Sequence, residues 1–173
     1  MIKGGKGGSK TLTGLRFEER TDLRSVFNQI KNYNVKGNDL FFNDALVASF
    51  YKKHNLYSKL LKDLKIHSES RLSKKLLPDE TIFVRSNNIL FIVEMKFQNV
   101  AGSVDEKLQT CDFKKKQYIK LFKGSKITIK YVYVLNDWFK KKEYKDTLDY
   151  IKAVGCDYFF EELPLNFLGL PKP

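Results

Sequence analysis

Leu77-Pro78-Asp79-Glu80-Thr81-Ile82-Phe83-Val84-Arg85-Ser86-Asn87-Asn88-Ile89-Leu90-Phe91-Ile92-Val93-Glu94-Met95-Lys96-Phe97-Gln98 reads as two apolar strands joined by a tight Ser86-Asn87-Asn88 turn. A short turn fixes the register of a hairpin, so folding about Asn87 pairs residues whose numbers add to roughly 173–175. Asp79 then lies opposite the segment from Glu94 to Lys96. Two carboxylates at the end of one sheet, with an ammonium two residues along, make a site for a hard divalent cation and a water. That chemistry suits phosphodiester hydrolysis.

The period of two along a strand puts Leu90, Ile92, Glu94, Lys96 and Gln98 on one face and Phe91, Val93, Met95 and Phe97 on the other. A strand that begins by packing on both faces therefore ends in three polar groups. Burying Glu and Lys side by side gains nothing for a core, because desolvation usually exceeds their attraction. Glu-x-Lys alone reads more readily as a wet strand end. Pro78-Asp79 in facing register is what turns the reading toward a site.

The rest of the chain fits one domain. At 173 residues it can bury a substantial core. Hydrophobic residues at 42% and aromatics at 14% argue against disorder. Thirty-two Lys and Arg against 20 Asp and Glu give a net charge of +12, which favours polyanionic partners because neutralised phosphates release counterions and reads equally as a lysine-rich soluble surface. Cys111 and Cys156 lack metal-ligand spacing and make no disulfide framework. No apolar run approaches the roughly 20 residues that span a bilayer, and Lys3, Lys6 and Lys10 among glycines, with no apolar segment after them, are not expected to act as a signal peptide. The expectation is a soluble, cytoplasmic protein from a bacterial or phage setting.

Residues 1–12 read as a flexible basic arm, and 13–173 as a single domain. The Gly-Gly-Lys-Gly-Gly-Ser-Lys-Thr stretch lacks a preceding strand and the Gly-Lys-Ser/Thr triplet of a nucleotide-binding loop. Thr13 predicts an N-cap for a helix over 14–31, with Leu15, Leu23, Val26 and Ile30 at helical spacing. Residues 32–44 read as polar and turn-rich, 46–51 as a strand, and 55–64 as an amphipathic helix. Ser103-Val104-Asp105-Glu106 is a capping box opening a helix that runs to about residue 122 and stops at Gly124. Residues 126–135 alternate as a half-buried strand, a lysine-rich helix covers 137–154, and 156–160 form a short strand before an irregular proline-marked tail. This order predicts an α/β (α+β) domain, a central mixed sheet flanked by helices.

Pro78-Asp79, the strand pair and Glu94-Met95-Lys96 resemble the PD-(D/E)XK nuclease motif. The surrounding segments are similar to small type II restriction endonucleases: Thr13-Gly14-Leu15-Arg16-Phe17-Glu18 at the entry, and Glu94-Met95-Lys96-Phe97-Gln98 followed by Gly102-Ser103-Val104-Asp105-Glu106-Lys107-Leu108-Gln109-Thr110. The likeness covers 13–31 and 78–122 best. It implies a restriction-endonuclease-like core and Mg²⁺-dependent cleavage of double-stranded DNA at a short sequence, with Mn²⁺ substituting. One such site cuts one strand, so a double-strand break at a palindrome asks for a homodimer about a two-fold axis; a cognate DNA methyltransferase acting separately is a further expected partner.

By that resemblance Asp79, Glu94 and the main-chain carbonyl of Met95 hold one or two metal ions. Lys96 positions or helps deprotonate the attacking water. Gln98, on the same face, orients water or contacts the scissile phosphate, and reads equally as a polar strand end. The resemblance adds Glu18 from the first helix, whereas helical geometry points to Glu19 on the Leu15–Val26–Ile30 stripe. The free amides at the start of the Ser103 helix can hold a DNA phosphate, making Ser103, Lys107 and Gln109 candidate DNA contacts. Lys114-Lys115-Lys116 and Lys140-Lys141-Lys142 read as solvated faces more readily than as binding patches. His54 and His67 lack the company of a ββα-metal site, and Tyr131-Val132-Tyr133 reads as core. Two alternatives stand beside the restriction enzyme: a structure-selective nuclease of junction-resolvase type, and a non-catalytic nucleic-acid-binding module.

Overall fold

The computed structural model describes residues 14–16, 22–100 and 104–173. The elements are β1 (Gly14–Arg16), α1 (Leu23–Phe27), β2 (Tyr33–Lys36), β3 (Asp39–Phe42), β4 (Ala45–Phe50), β5 (Glu80–Val84), β6 (Ile89–Lys96), α2 (Val104–Leu108), α3 (Cys111–Leu121), β7 (Thr128–Leu135), α4 (Lys145–Ala153), β8 (Asp157–Phe160), β9 (Glu162–Pro164) and α5 (Leu165–Leu168). Seven strands form one mixed sheet in sequence order from β2 to β8. It is antiparallel from β2 to β6 and parallel from β6 through β8. The fold is α+β, with helices on the sheet.

Hairpin chemistry sets the antiparallel half. Gly37 (φ 62°) opens the two-residue loop between β2 and β3. Asn43 and Asp44, both at positive φ, make the loop between β3 and β4, as expected where only Gly, Asn and Asp tolerate the primed turns that suit strand twist. In the β5–β6 ladder Glu80 faces Val93 and Val84 faces Ile89, so the residue numbers of each pair add to 173 and the register falls within the expected range.

The sheet divides two cores. Leu90 and Ile92 of β6 join Tyr118, Tyr131, Tyr133 and Leu56 on one side. Phe91 and Val93 join Phe27, Phe50, Val132, Val134 and Leu163 on the other. The central strands are apolar on both faces, as burial between two layers requires.

Several expectations are corrected. The helix predicted from residue 14 is a strand at Gly14–Arg16, paired with β9. Leu15 is fully buried there, so tertiary pairing overrides a helical spacing weakened by Gly14; Thr13 lies outside the described residues. Residues 32–44 form the β2–β3 ladder, with Tyr33 and Leu40 buried. The helix expected over 103–122 breaks at Gln109–Thr110, where the Thr110 hydroxyl donates to the Lys107 carbonyl at 2.7 Å and competes with the helical ladder. Residues 137–144 of the helix expected over 137–154 form two 3₁₀ turns, Asp137–Lys140 and Lys142–Tyr144. The tail is ordered: β9 and α5 cover the second core with Leu163, Leu165 and Leu168.

Candidate active site

The polar end of β6 meets the residue preceding β5. The Lys96 ammonium donates to Asp79 Oδ2 at 3.1 Å, Glu94 Oε2 at 3.0 Å and the Met95 carbonyl at 3.1 Å. Three oxygens around one nitrogen lie at most about 6 Å apart in any pair. All are hard donors of the kind that bind Mg²⁺, which takes one or two carboxylates from a protein and fills its remaining positions with water or substrate phosphates. The donor set therefore fits such an ion, with the Lys96 ammonium as the positive charge in the cradle. Among the described residues no group of three or more His, Cys, Asp or Glu side chains is placed to hold a metal; this cluster has two carboxylates and a main-chain carbonyl.

Exposure grades across the site. The Asp79 side chain is 41% exposed, Lys96 20% and Glu94 7%, so the cluster opens to solvent on the Asp79 side. Behind Glu94 lie Tyr118, Tyr131 and Tyr133, whose hydroxyls burial pushes above the usual phenol range, with the Glu94 charge acting in the same direction. They remain neutral and form an apolar floor. Burial is the largest influence on Lys96 and pushes its ammonium down. Glu94 and Asp79 together more than offset that and hold its pKa above the ordinary lysine value. Lys96 is thus an ammonium in this arrangement, suited to orienting and neutralising.

A second ammonium was legible only in part. Lys114 of α3 reaches Glu94 Oε2 at 3.4 Å. It shares a helical face with Cys111, Tyr118 and Leu121, all buried; a lysine in register with an apolar stripe is the signal that the reading of a solvated triplet passed over. The other two members do separate work. Lys115 donates to the Gly155 carbonyl at 2.6 Å, closing the end of α4, and Lys116 pairs with Asp112 at 2.7 Å. Of the second triplet, Lys140 pairs with Asp137 and Lys141 lies over the Trp138 ring. Asn136 is a further residue that sequence reasoning missed. It accepts from Gln98 N at 3.2 Å and donates to the Gln98 carbonyl at 2.8 Å, fixing the chain as it leaves β6.

The remaining candidates fall elsewhere. Gln98 is buried, and its amide donates to the Val100 carbonyl at 2.8 Å, which ties it to its own loop. The Met95 side chain packs with Phe97 against the opposite core. Lys107 is exposed. Gln109 lines a concavity beside Asp146, Thr147 and Tyr150, and no described hydrogen bond joins either side chain to the carboxylates. Glu18, Glu19 and Ser103 lie outside the described residues. No helix among the described residues is long and apolar enough to cross a membrane. No family model, curated protein or solved structure matches this chain.

Proposed function

We propose that the protein is a Mg²⁺-dependent DNA endonuclease of the PD-(D/E)XK class, a small type II restriction enzyme acting on duplex DNA as a homodimer. The observation that carries the reading is the convergence of Asp79, Glu94 and the Met95 carbonyl on the Lys96 ammonium within 3.1 Å. The open Asp79 side admits a phosphate, and a net charge of +12 attracts the polyanion. Mg²⁺, when bound by Asp79, Glu94 and the Met95 carbonyl, supplies Lewis-acid polarisation of the phosphoryl oxygens. Lys96 then donates hydrogen bonds to the attacking water or to a non-bridging phosphate oxygen, where its charge offsets the negative charge that develops as water adds and the P–O bond to the leaving sugar breaks. Lys114 holds the Glu94 carboxylate from the α3 side, keeping one oxygen oriented.

The deciding experiment incubates plasmid DNA with the wild type and with Asp79→Ala and Lys96→Ala in Mg²⁺ or Mn²⁺, then sequences the ends. The expected outcome is cleavage at one short sequence by the wild type, with both variants binding DNA but losing cleavage by several orders of magnitude. Cutting of branched DNA without sequence preference would assign the junction-resolvase alternative instead. The non-catalytic binding module is favoured by one specific observation: Lys96 and Lys114 already neutralise the two carboxylates. A wild type that nicks no duplex with either metal would select it.

A further inference from the structure

Away from the carboxylates, the two histidines of the chain, His54 and His67, line one concavity of about 620 Å³ with Tyr57, Lys62, Lys65 and Lys75. That volume is in the range of small-molecule pockets and far exceeds a single inorganic anion. Three ammonium groups border it against one carboxylate, Glu69, which pairs with Lys75 at 3.5 Å. The Lys62 and Lys65 ammoniums and both imidazoles have no hydrogen-bond or ion-pair partner among the described residues. The apolar wall is rigid. The Tyr57 hydroxyl donates to the Leu76 carbonyl and accepts from the Leu76 amide, each at 2.8 Å, and Leu61 and Ile66 continue the wall.

The helix beside the pocket has a geometry not found in the other helices among the described residues. Leu56–Leu61 is π-helical, a geometry that recurs at functional sites. Lys53 and Lys65, before and after it, hold left-handed conformations at φ 48° and 54°, which non-glycine residues adopt at a cost where surrounding structure fixes them, often in ligand clamps. Lys65 is the left-handed residue that ends this helix, with the Ile66 amide donating to the Leu61 carbonyl at 2.8 Å across it.

We infer that this concavity binds a nucleotide: Lys62 and Lys65 hold the phosphate, His54 and His67 donate to it, and Ile66 and the edge of the Tyr57 ring, whose face the Lys75 ammonium covers at 5.3 Å, flank the base. Cations alone would suit any anion; the fixed aromatic wall and the volume select one that carries a flat ring. The same chemistry is offered by a free nucleotide and by the phosphorylated end of a strand. Two residues lie between Leu76, whose main chain holds the Tyr57 hydroxyl, and Asp79. The inference does not depend on hydrolysis at those carboxylates.

The test titrates the full chain with deoxyadenosine monophosphate, deoxyadenosine, inorganic phosphate and oligonucleotides with and without a terminal phosphate, following the imidazole resonances of His54 and His67. Deoxyadenosine monophosphate or a phosphorylated oligonucleotide is expected to shift both histidines. The Lys62→Gln/Lys65→Gln double variant, altered only at exposed side chains, is expected to bind at least about tenfold more weakly, with an unchanged circular dichroism spectrum. Binding of the mononucleotide identifies a free ligand, and binding of the phosphorylated oligonucleotide alone identifies a strand end. Asp79→Ala is expected to bind like the wild type, which separates this pocket from the hydrolytic reading. No shift with any phosphorylated probe, equal affinity in the double variant, or equal affinity for deoxyadenosine or inorganic phosphate alone overturns the inference.

Discussion

Glu94 and Asp79 hold the same lysine and yet differ in what the fold asks of them. Glu94 is nearly buried and accepts from both Lys96 and Lys114, whereas Asp79 is 41% exposed and accepts from Lys96. Removing a buried partner leaves uncompensated charge, at a cost of about 3–5 kcal/mol; removing an exposed one costs about 1 kcal/mol or less. Glu94→Ala is therefore expected to unfold at markedly lower urea concentration than Asp79→Ala. Equal midpoints would mean that the ammonium groups relax into solvent and that the cluster contributes little to stability. Lys114→Ala is expected to fall between the two, since Lys96 still neutralises Glu94.

At the scale of elements, α5 packs on the β5–β6 hairpin through Phe167, whose ring meets that of Phe91 edge-on at 5.6 Å. Gly169 closes that helix at φ 71°, and a Cβ there would stand 2.9 Å from Asn87 Nδ2 in the hairpin turn. Gly124 has a similar backbone (φ 82°) with nothing within 4 Å of such a Cβ. Each change to alanine carries the left-handed penalty of about 1–2 kcal/mol. Thermal unfolding of Gly169→Ala and Gly124→Ala should then differ by the hairpin contact, with Gly169→Ala the less stable. Equal losses would show the contact to be silent. The hairpin itself was legible in the sequence because its turn, its register and its two apolar faces are all local. The convergence of Asp79 with Glu94 followed from that register. What escaped was non-local: Gly14–Arg16 is a strand because of β9, almost 150 residues away in sequence, and the ordering of 162–168 depends on a core built earlier in the chain. Lys114 and Asn136 escaped for the same reason, since their partners lie 20 and 38 residues away.

Charge and burial set the behaviour of the whole molecule. If the cationic surface binds duplex DNA, the logarithm of affinity is expected to fall linearly with the logarithm of salt, by about 0.9 per phosphate contacted; affinity insensitive to salt would remove the polyanion reading. Sedimentation with and without DNA tests the dimer, and a monomer in both excludes it. Alkaline stability follows from the buried phenols. Burial pushes Tyr33 up to about 12 and Tyr118, Tyr131 and Tyr133 higher. Their stabilising effect is complete below the ordinary phenol value of 10.0 and is lost as pH rises through the folded-state values, because the unfolded chain releases those protons first. Phenolate absorbance should rise in two stages, the second coinciding with loss of circular dichroism. A single stage completed in folded protein would contradict the packing.

The two cores are finished at different times. The side bearing Glu94 is roofed by α3 and α4, whereas the other awaits β9 and α5, and the Tyr33 hydroxyl donates to the Pro171 carbonyl at 2.5 Å. During synthesis, the surface bearing Phe91, Val132 and Val134 therefore has only the α1 side of its cover, from Leu23, Phe27 and Ile30, until residues 162–171 leave the ribosome. A nascent chain stalled short of that point would carry a greasy sheet in search of a neighbour, and would be the form most in need of a chaperone.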